Sequence, residues 1–171
     1  GKMKRLRTKG KISIEALAAA TGFSADYLEK VEKRDVMPPV SAIIQISKAL
    51  VVDAGKFLSA DDTKTGRKKA ESFSKRKNAY FYKTLTPDAE HKHMKGFHVT
   101  IPPESDHEGV EYKHEGEEFI YVLDGRLEIK VGPDLRSLKK GETIHFDANK
   151  THRLRNPGKK KTELIVVVYT P

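Results

Sequence analysis

The first part of the chain places apolar residues at helical spacing between turn signals. Four residues fall at i, i+3, i+4 and i+7, which is one face of a helix: Ile14, Leu17, Ala18 and Thr21. Ser13 is a favoured N-cap residue and Gly22 is a favoured residue beyond a helix C-terminus, so the pattern predicts a helix between them. A few residues later, Ser24 is predicted to cap a second helix, Ala25 to about Lys33.

Two adjacent prolines then predict extended chain, because proline disfavours helical geometry in the residue before it. Ser41 is predicted to cap a third helix, whose apolar set is Ile43, Ile44, Ile46 and Leu50. Asp53 is predicted to cap a last short helix that ends near Leu58. The first half is therefore predicted to be an all-helical unit.

From residue 79 onward the periodicity shifts towards two, as in β-strands. Six short stretches between turn residues are predicted as strands: 80–82, 96–101, 118–123, 126–131, 143–146 and 164–169. Alternation in 126–131 and 152–156 predicts the inward-facing residues Leu127, Ile129, Val131, His152, Leu154 and Asn156. Many short strands with regular turns indicate a β-barrel or sandwich.

Charge divides the chain at the same place. Residues 1–79 hold 18 Lys and Arg against 9 Asp and Glu, whereas residues 80–171 hold 15 against 15. The 171 residues are enough for two small domains, and we predict a helical domain at 1–60, a basic linker at 61–78 and a β-domain at 79–171. A localised charge of +9 indicates a polyanionic partner, usually a nucleic acid and less often an anionic membrane.

Composition also excludes several classes of protein. Cysteine is absent, which excludes disulfides and thiolate metal sites. No segment approaches the roughly 20 apolar residues of a membrane span, and no signal-peptide run follows the basic N-terminus. We therefore expect a cytoplasmic protein without a membrane partner.

The candidate chemistry concentrates in His114, Glu118 and His152, because imidazole and carboxylate are ligand types that divalent metals accept. On a fully extended strand His114 and Glu118 would lie about 13 Å apart, too far to share an ion. Gly116 can turn the chain between them because it lacks a Cβ. We therefore expect His114 to end one strand and Glu118 to begin the next.

Residues 112–125 resemble the first motif of the cupins, roughly H-x-H-x(3,4)-E-x(6)-G, and residues 141–156 resemble the second, which ends in H-x(3)-N. The resemblance implies an all-β cupin barrel, a double-stranded β-helix or jelly roll. Tyr112 stands where the family often has its first histidine, and we expect it to be a pocket wall. The implied ligand-binding set is Tyr112, His114, Glu118 and His152.

Two alternatives remain open for this pocket. A divalent metal (Fe, Mn, Zn or Ni) can be held by His114, Glu118 and His152. Alternatively, the same side chains line a pocket for an organic ligand without metal. Among the other histidines His145 is the rival for a place in the pocket, since it lies on the second-motif strand, and surface positions are expected for His91, His93 and His107.

Residues 6–50 resemble the lambda-repressor-like, or XRE-type, helix-turn-helix domains, whose second helix enters the DNA major groove. The resemblance implies a first helix whose Arg7 pairs with Glu32 near the end of the recognition helix, as a structural brace. It also implies DNA-facing positions at Ser24, Ala25, Asp26, Tyr27, Glu29, Lys30, Lys33 and Arg34.

Asp26 and Glu29 are unusual at such positions, because a carboxylate accepts only from cytosine N4 and repels phosphates. An alternative explanation for these two residues is that Asp26, in the first turn, complements the helix dipole and that Glu29 is simply solvated. We expect Lys30 to be the main reader of bases, with phosphate contacts providing most of the affinity.

A helix-turn-helix joined to a cupin barrel resembles the XRE-cupin transcriptional regulators. The resemblance implies a non-enzymatic homodimer that binds double-stranded DNA and uses its barrel as a sensor of a small-molecule effector. We expect the barrel to supply the dimer surface, through apolar runs such as 164–168. Two other hypotheses are a metal-free sugar or small-acid binding module and a non-haem metal-dependent cupin oxidoreductase, since hydroxypropylphosphonate epoxidase resembles this plan.

Overall fold

The computed structural model describes residues 1–36, 38–52, 80–86, 89, 92–106 and 112–171. The helix predicted after Asp53 and the linker predicted at 61–78 lie outside these residues. Within the described part of the chain, none of the helices has the length and apolar composition needed to cross a bilayer.

The described part of the helical unit forms four helices: α1 (Lys2–Lys9), α2 (Ile14–Thr21), α3 (Ala25–Lys33) and α4 (Val40–Ala49). The predicted caps of α2 and α3 are confirmed, because the Ser13 and Ser24 hydroxyls accept hydrogen bonds from backbone N–H groups three residues later. Gly22 ends α2 in the left-handed region, with φ of 73°. The apolar pattern alone does not reveal α1, whose one fully buried residue is Met3.

An ion pair braces α1 against α3, as the resemblance implied. Nε of Arg7 donates to Oε1 of Glu32 at 2.7 Å, and a terminal guanidinium nitrogen donates to Oε2 at 3.1 Å. A second terminal nitrogen of Arg7 donates to the Ile12 carbonyl at 2.8 Å. This two-point pairing is geometrically specific, and it orients the recognition helix α3 within the unit.

The start of α4 differs from the prediction. The helix begins at Val40 with Pro39 at the N-cap position, and no side chain caps it. The prediction that Ser41 is the cap is wrong, because Pro39 already supplies the extended residue before the first turn and Ser41 lies inside that turn. Its hydroxyl is consequently available for a different partner.

Among the described residues the β-domain has nine strands: β1 (Phe81–Thr84), β2 (Met94–Ile101), β3 (Ser105–Asp106), β4 (Glu117–Asp124), β5 (Arg126–Val131), β6 (Asp134–Lys139), β7 (Thr143–Asp147), β8 (His152–Asn156) and β9 (Thr162–Tyr169). They form two antiparallel sheets, in the orders β1-β2-β9-β4-β7 and β3-β8-β5-β6. Apolar residues of both sheets share one core. The sequence pattern does not predict β3 and β6. The β3 strand has only two residues, and β6 is an edge strand with one buried side chain, so neither shows a clear alternation.

The predicted inward parity is confirmed for β5 and β8, whose alternate residues are buried. The expectation for 164–168 needs correction, because β9 lies in the interior of the five-stranded sheet, between β2 and β4. Leu164, Val166 and Val168 are buried inside the barrel. Only Ile165 and Val167 of this run face outward, half-buried.

Helix α4 belongs to two hydrophobic cores. One face, with Ala42, Ile46 and Leu50, packs inside the helical unit. The other face packs against the barrel interior through Val40, Ile43 and Ile44. The hydroxyl of Tyr82 on β1 also donates to the Pro38 carbonyl, just before α4. The helical unit therefore covers one end of the barrel.

Candidate functional site

Three side chains that the sequence analysis singled out converge inside the barrel. Nε2 of His114 lies 2.7 Å from Oε1 of Glu118, and Nε2 of His152 lies 3.5 Å from the same oxygen. One ligand atom from each residue falls within 4.8 Å of the others. All three residues are buried, with 7%, 2% and 1% exposure in that order.

The two sheets and one tight turn bring these residues together. Glu118 lies on β4 in the five-stranded sheet, and His152 lies on β8 in the four-stranded sheet. Gly116 turns the chain at φ of 104°, and a Cβ there would lie 1.9 Å from the Tyr169 carbonyl oxygen. The turn is as predicted, but His114 itself does not lie in a strand; the nearby Tyr112 forms an isolated bridge with His152 of β8.

Hydrogen bonds at the back of each imidazole fix its orientation. Nδ1 of His114 lies 3.1 Å from the Glu115 carbonyl, and Nδ1 of His152 lies 2.9 Å from the Lys150 carbonyl. A carbonyl only accepts, so each Nδ1 carries a hydrogen and each Nε2 faces Glu118. The Nε2 atoms of both imidazoles and the Glu118 carboxylate therefore point towards one another, and an ion can lie between them. The donor set therefore fits a divalent ion.

Electrostatics follow the same logic. Burial by itself would raise the pKa of the Glu118 carboxyl, but hydrogen bonds from both histidines outweigh burial and lower this pKa below its usual range. Burial would lower the pKa of His152, but the hydrogen bond to Glu118 and its charge raise it above the ordinary value. The hydrogen bonds of the cluster thus favour the ionised form of the buried Glu118 carboxyl.

A fourth residue joins the cluster from the helical unit. The Ser41 hydroxyl on α4 donates to Oε1 of Glu118 at 2.8 Å and lies 2.8 Å from Nε2 of His152. The sequence pattern does not predict this contact, since it indicates a helix cap at Ser41. One signal was available: α4 carries apolar residues on two faces, which a helix packed against a single core does not need.

Tyr112 lies at the junction of the two units. It is buried, and its ring packs edge-on against Phe23 of the helical unit, with centroids 6.0 Å apart. A cleft of about 410 Å³ opens beside the cluster and gives solvent a route to His114. Its other lining residues come from both units: Ala20, Gln45, Lys48, Ala49, Lys113, Glu115 and Asn149.

The remaining motif residues have local roles. His145 is 60% exposed and pairs with Glu117 at 2.9 Å, so it lies outside the pocket. His93 is exposed near the Thr170 carbonyl, while His91 and His107 fall outside the described residues. The Asn156 amide donates to three backbone carbonyls and stabilises the loop after β8.

The recognition helix presents a charged face. Most of the implied DNA-facing positions are exposed or half-buried: Ser24, Ala25, Asp26, Glu29, Lys30, Lys33 and Arg34. The exception is Tyr27, which is 8% exposed and packs edge-on against Phe23 with centroids 5.3 Å apart. This corrects the expectation for Tyr27, because a ring buried in the helical core cannot contact bases in this arrangement.

Acidic and basic residues pair along the exposed face of α3. Nζ of Lys30 lies 2.6 Å from Asp26, and Nζ of Lys33 lies 2.8 Å from Glu29, both at i, i+4 spacing. Glu29 is thus paired with a lysine, in addition to being solvated. The two carboxylates partly neutralise the two lysines most suited to DNA contact.

The fold and the site agree with two family matches. A helix-turn-helix family (HTH_3) matches residues 3–57, and a cupin domain family (Cupin_2) matches residues 97–168. The chain therefore combines an XRE-type helix-turn-helix domain with a cupin domain. Both resemblances found in the sequence are confirmed.

Two of the similar proteins match almost the full length of the chain, and a third matches its cupin part. The helix-turn-helix–cupin chain is 25% identical over 169 residues to the HTH-type transcriptional regulator SutR of Escherichia coli strain K12, covering 99% of this chain and 93% of that protein. A crystal structure of an HTH_3 family transcriptional regulator from Vibrio cholerae superposes with a TM-score of 0.66 at 21% identity, covering 99% of this chain and 93% of that chain. A cupin_2 domain of an XRE family transcriptional regulator from Enterobacter cloacae is 25% identical, with a TM-score of 0.49, over 55% of this chain and 99% of that chain.

Proposed function

We propose that this protein is a DNA-binding transcriptional regulator whose cupin domain binds a small-molecule effector at His114, Glu118 and His152. The observation that carries the proposal is the presence, in one chain, of an exposed recognition helix and a buried, convergent donor cluster. The similarity to SutR, a transcriptional regulator by name, extends over almost the full chain and supports the same function. We propose that the protein acts in the cytoplasm as a homodimer without an enzymatic reaction.

The helix-turn-helix domain is suited to bind duplex DNA. Lys30, Lys33 and Arg34 lie at or just beyond the end of the exposed face of α3, where cations can reach phosphates or base edges. The Arg7–Glu32 pair braces the helix from behind and leaves this face available. Two such units in a dimer would read half-sites about 34 Å apart, or a multiple of that distance.

The cupin domain is suited to bind the effector. His114, Glu118 and His152 would hold a divalent ion through two imidazole Nε2 atoms and one carboxylate oxygen. Such an ion supplies a positive centre able to coordinate an oxygen or nitrogen atom of a small molecule. The protein itself supplies the oriented imidazoles, the burial that strengthens electrostatic attraction, and the adjoining cleft.

DNA binding can be tested by fluorescence anisotropy with a labelled duplex carrying the protein's own promoter region and with a scrambled duplex. Lys30→Ala should weaken binding to the promoter duplex more than to the scrambled duplex. Affinity should also fall steeply with salt, because each phosphate contact releases counterions. Lys159→Ala, which removes an exposed lysine from the barrel, is the matched control and should change neither affinity. Salt-independent binding, or equal effects of the two substitutions, would contradict the proposal.

A cupin oxidoreductase is the second candidate, because two histidines and one glutamate are the donor set of many non-haem iron oxygenases. The regulator is favoured by the +9 charge of the first half of the chain, which a small-molecule enzyme does not need. Oxygen uptake by the Fe(II)-loaded protein, measured with an oxygen electrode against a Glu118→Ala control, separates the candidates. Uptake that requires Glu118, together with absent DNA binding, would favour the enzyme.

A further inference from the structure

The proposed cupin site already contains an internal ligand. Ser41, from the helix-turn-helix domain, occupies the cluster of His114, Glu118 and His152 and is 2% exposed. It is carried there by α4, whose Val40, Ile43 and Ile44 fill the adjacent end of the barrel. These contacts join residues 77 and 111 positions apart in the sequence, so they hold the two domains together at the candidate metal site.

The Ser41–His152 contact excludes a metal ion from His152 because of the geometry of imidazole. The Nε2 atom of histidine forms one bond outside the ring, in the ring plane. It can carry a hydrogen there, accept a hydrogen bond on its lone pair, or bind a metal ion, but it can do only one of these at a time. In His152 that position is directed at the Ser41 hydroxyl, 2.8 Å away. Because Nδ1 of His152 is committed to the Lys150 carbonyl, the ring has no second nitrogen to offer an ion.

Serine is also a poor replacement for the missing fourth ligand. Zn²⁺ in proteins is bound by imidazole, carboxylate and thiolate donors, and a neutral seryl hydroxyl is not one of its usual ligands. The Ser41 oxygen lies at hydrogen-bonding distance from two of the three donor atoms that an ion would need, Oε1 of Glu118 and Nε2 of His152. Its position is that of a competitor for the site.

We propose that docking of α4 on the barrel and binding of a divalent ion at His114, Glu118 and His152 are mutually exclusive. This rests on the proposed function and specifies how its two domains are coupled. When α4 is docked, the Ser41 hydroxyl is hydrogen-bonded to Glu118 and His152, and the helix-turn-helix domain is fixed to the barrel. When an ion binds, the Ser41–His152 hydrogen bond breaks and α4 is released, which gives the site different affinities in the two arrangements, as coupling requires.

Further contacts at the junction would respond to the same change. Phe23, at the start of the recognition helix, packs against Tyr112 with ring centroids 6.0 Å apart. An ion pair joins Lys48 of α4 to Glu115, next to His114. Release of α4 would therefore free the recognition helix from the barrel as well.

The test is zinc affinity measured by isothermal titration calorimetry on the full-length protein, with no DNA present. Ser41→Ala should bind Zn²⁺ about tenfold more tightly than the unsubstituted protein, since a hydrogen bond to a charged group is typically worth about that factor. Ser47→Ala is the matched control, because Ser47 lies on the same helix, is buried, and its hydroxyl has no hydrogen-bond partner among the described residues. His152→Ala should abolish the binding and so identify the site.

The outcomes separate three roles for Ser41. Tighter zinc binding in Ser41→Ala alone supports exclusion. Weaker binding would show that Ser41 is itself a metal ligand, and equal binding, or no zinc binding by either form, would refute the proposal. Because no DNA is used, any of these failures leaves the DNA-binding result of the anisotropy experiment unaffected, so the two hypotheses fail separately.

A second measurement leaves α4 unchanged. The chain contains no tryptophan, so Phe23→Trp places a single fluorophore at the junction. Saturating Zn²⁺ should shift its emission to longer wavelength as the indole becomes exposed. The same titration in Phe23→Trp combined with His152→Ala should give no shift, and an unchanged spectrum in the zinc-bound single variant would contradict release of α4.

Discussion

At the scale of single residues, Gly116 determines whether His114 can approach Glu118. Its φ of 104° lies in a region that side-chain-bearing residues rarely adopt, and a Cβ would lie 1.9 Å from the Tyr169 carbonyl. The sequence was sufficient to predict this turn, the three converging donors and the Arg7–Glu32 pair. Each of these depends on local chain geometry or on a motif of known spacing.

Gly116→Ala should destabilise the protein by several kcal/mol, because the backbone strain and the clash with Tyr169 add to each other. Gly132→Ala is the control: it also has positive φ, 56°, but a Cβ there meets no heavy atom within 4 Å. Only the strain of the left-handed region applies, roughly 1–2 kcal/mol. Urea unfolding midpoints compare the two, and equal losses would mean that the close approach to Tyr169 is unimportant.

At the scale of elements, helix α3 carries its own counter-charges. Asp26 and Glu29 each hold a lysine one turn later, at 2.6 and 2.8 Å. Such exposed pairs contribute little to stability, so their main effect is on the field that DNA encounters. The i, i+4 spacing of these charges is visible in the sequence and is sufficient to predict both pairs.

Asp26→Asn should strengthen binding to duplex DNA by roughly two- to fivefold at low salt, because Lys30 is released and one repulsive charge is removed. The gain should shrink as salt screens both effects. Asp134→Asn makes the same chemical change at an exposed position on β6 and serves as the control. Anisotropy titrations at two salt concentrations provide the measurement. An equal gain from both substitutions would indicate a general charge effect, without a role for the recognition helix.

At the scale of the whole molecule, the relation between the domains could not be predicted from the sequence. No local pattern encodes a contact between Ser41 and His152, and the best local interpretation of Ser41, a helix cap, was wrong. The same limit applies to β9, whose apolar run indicates burial but not its position between two other strands. Neighbours in a sheet are set by the complete chain topology.

Assembly is a further property at this scale. The outer face of the five-stranded sheet exposes 40% of Phe119, which is paired with Val167, and these residues offer an apolar surface for a two-fold dimer. Phe119→Glu should therefore shift the full-length protein from dimer to monomer in light scattering at micromolar concentration. Leu135→Glu, at a residue 67% exposed on the other sheet, should leave the dimer intact. A dimer that survives the Phe119 substitution would place the interface elsewhere.

The membership of α4 in two cores has a consequence for unfolding. Most two-domain proteins with a linker can lose one domain and keep the other, because few apolar contacts cross the boundary. Here the melting of the helix-turn-helix domain would remove Val40, Ile43 and Ile44 from the barrel interior and admit water to its core. We therefore expect the two domains to unfold as one cooperative unit while α4 is docked. Release of the helix would divide that unit into two, each with its own melting temperature.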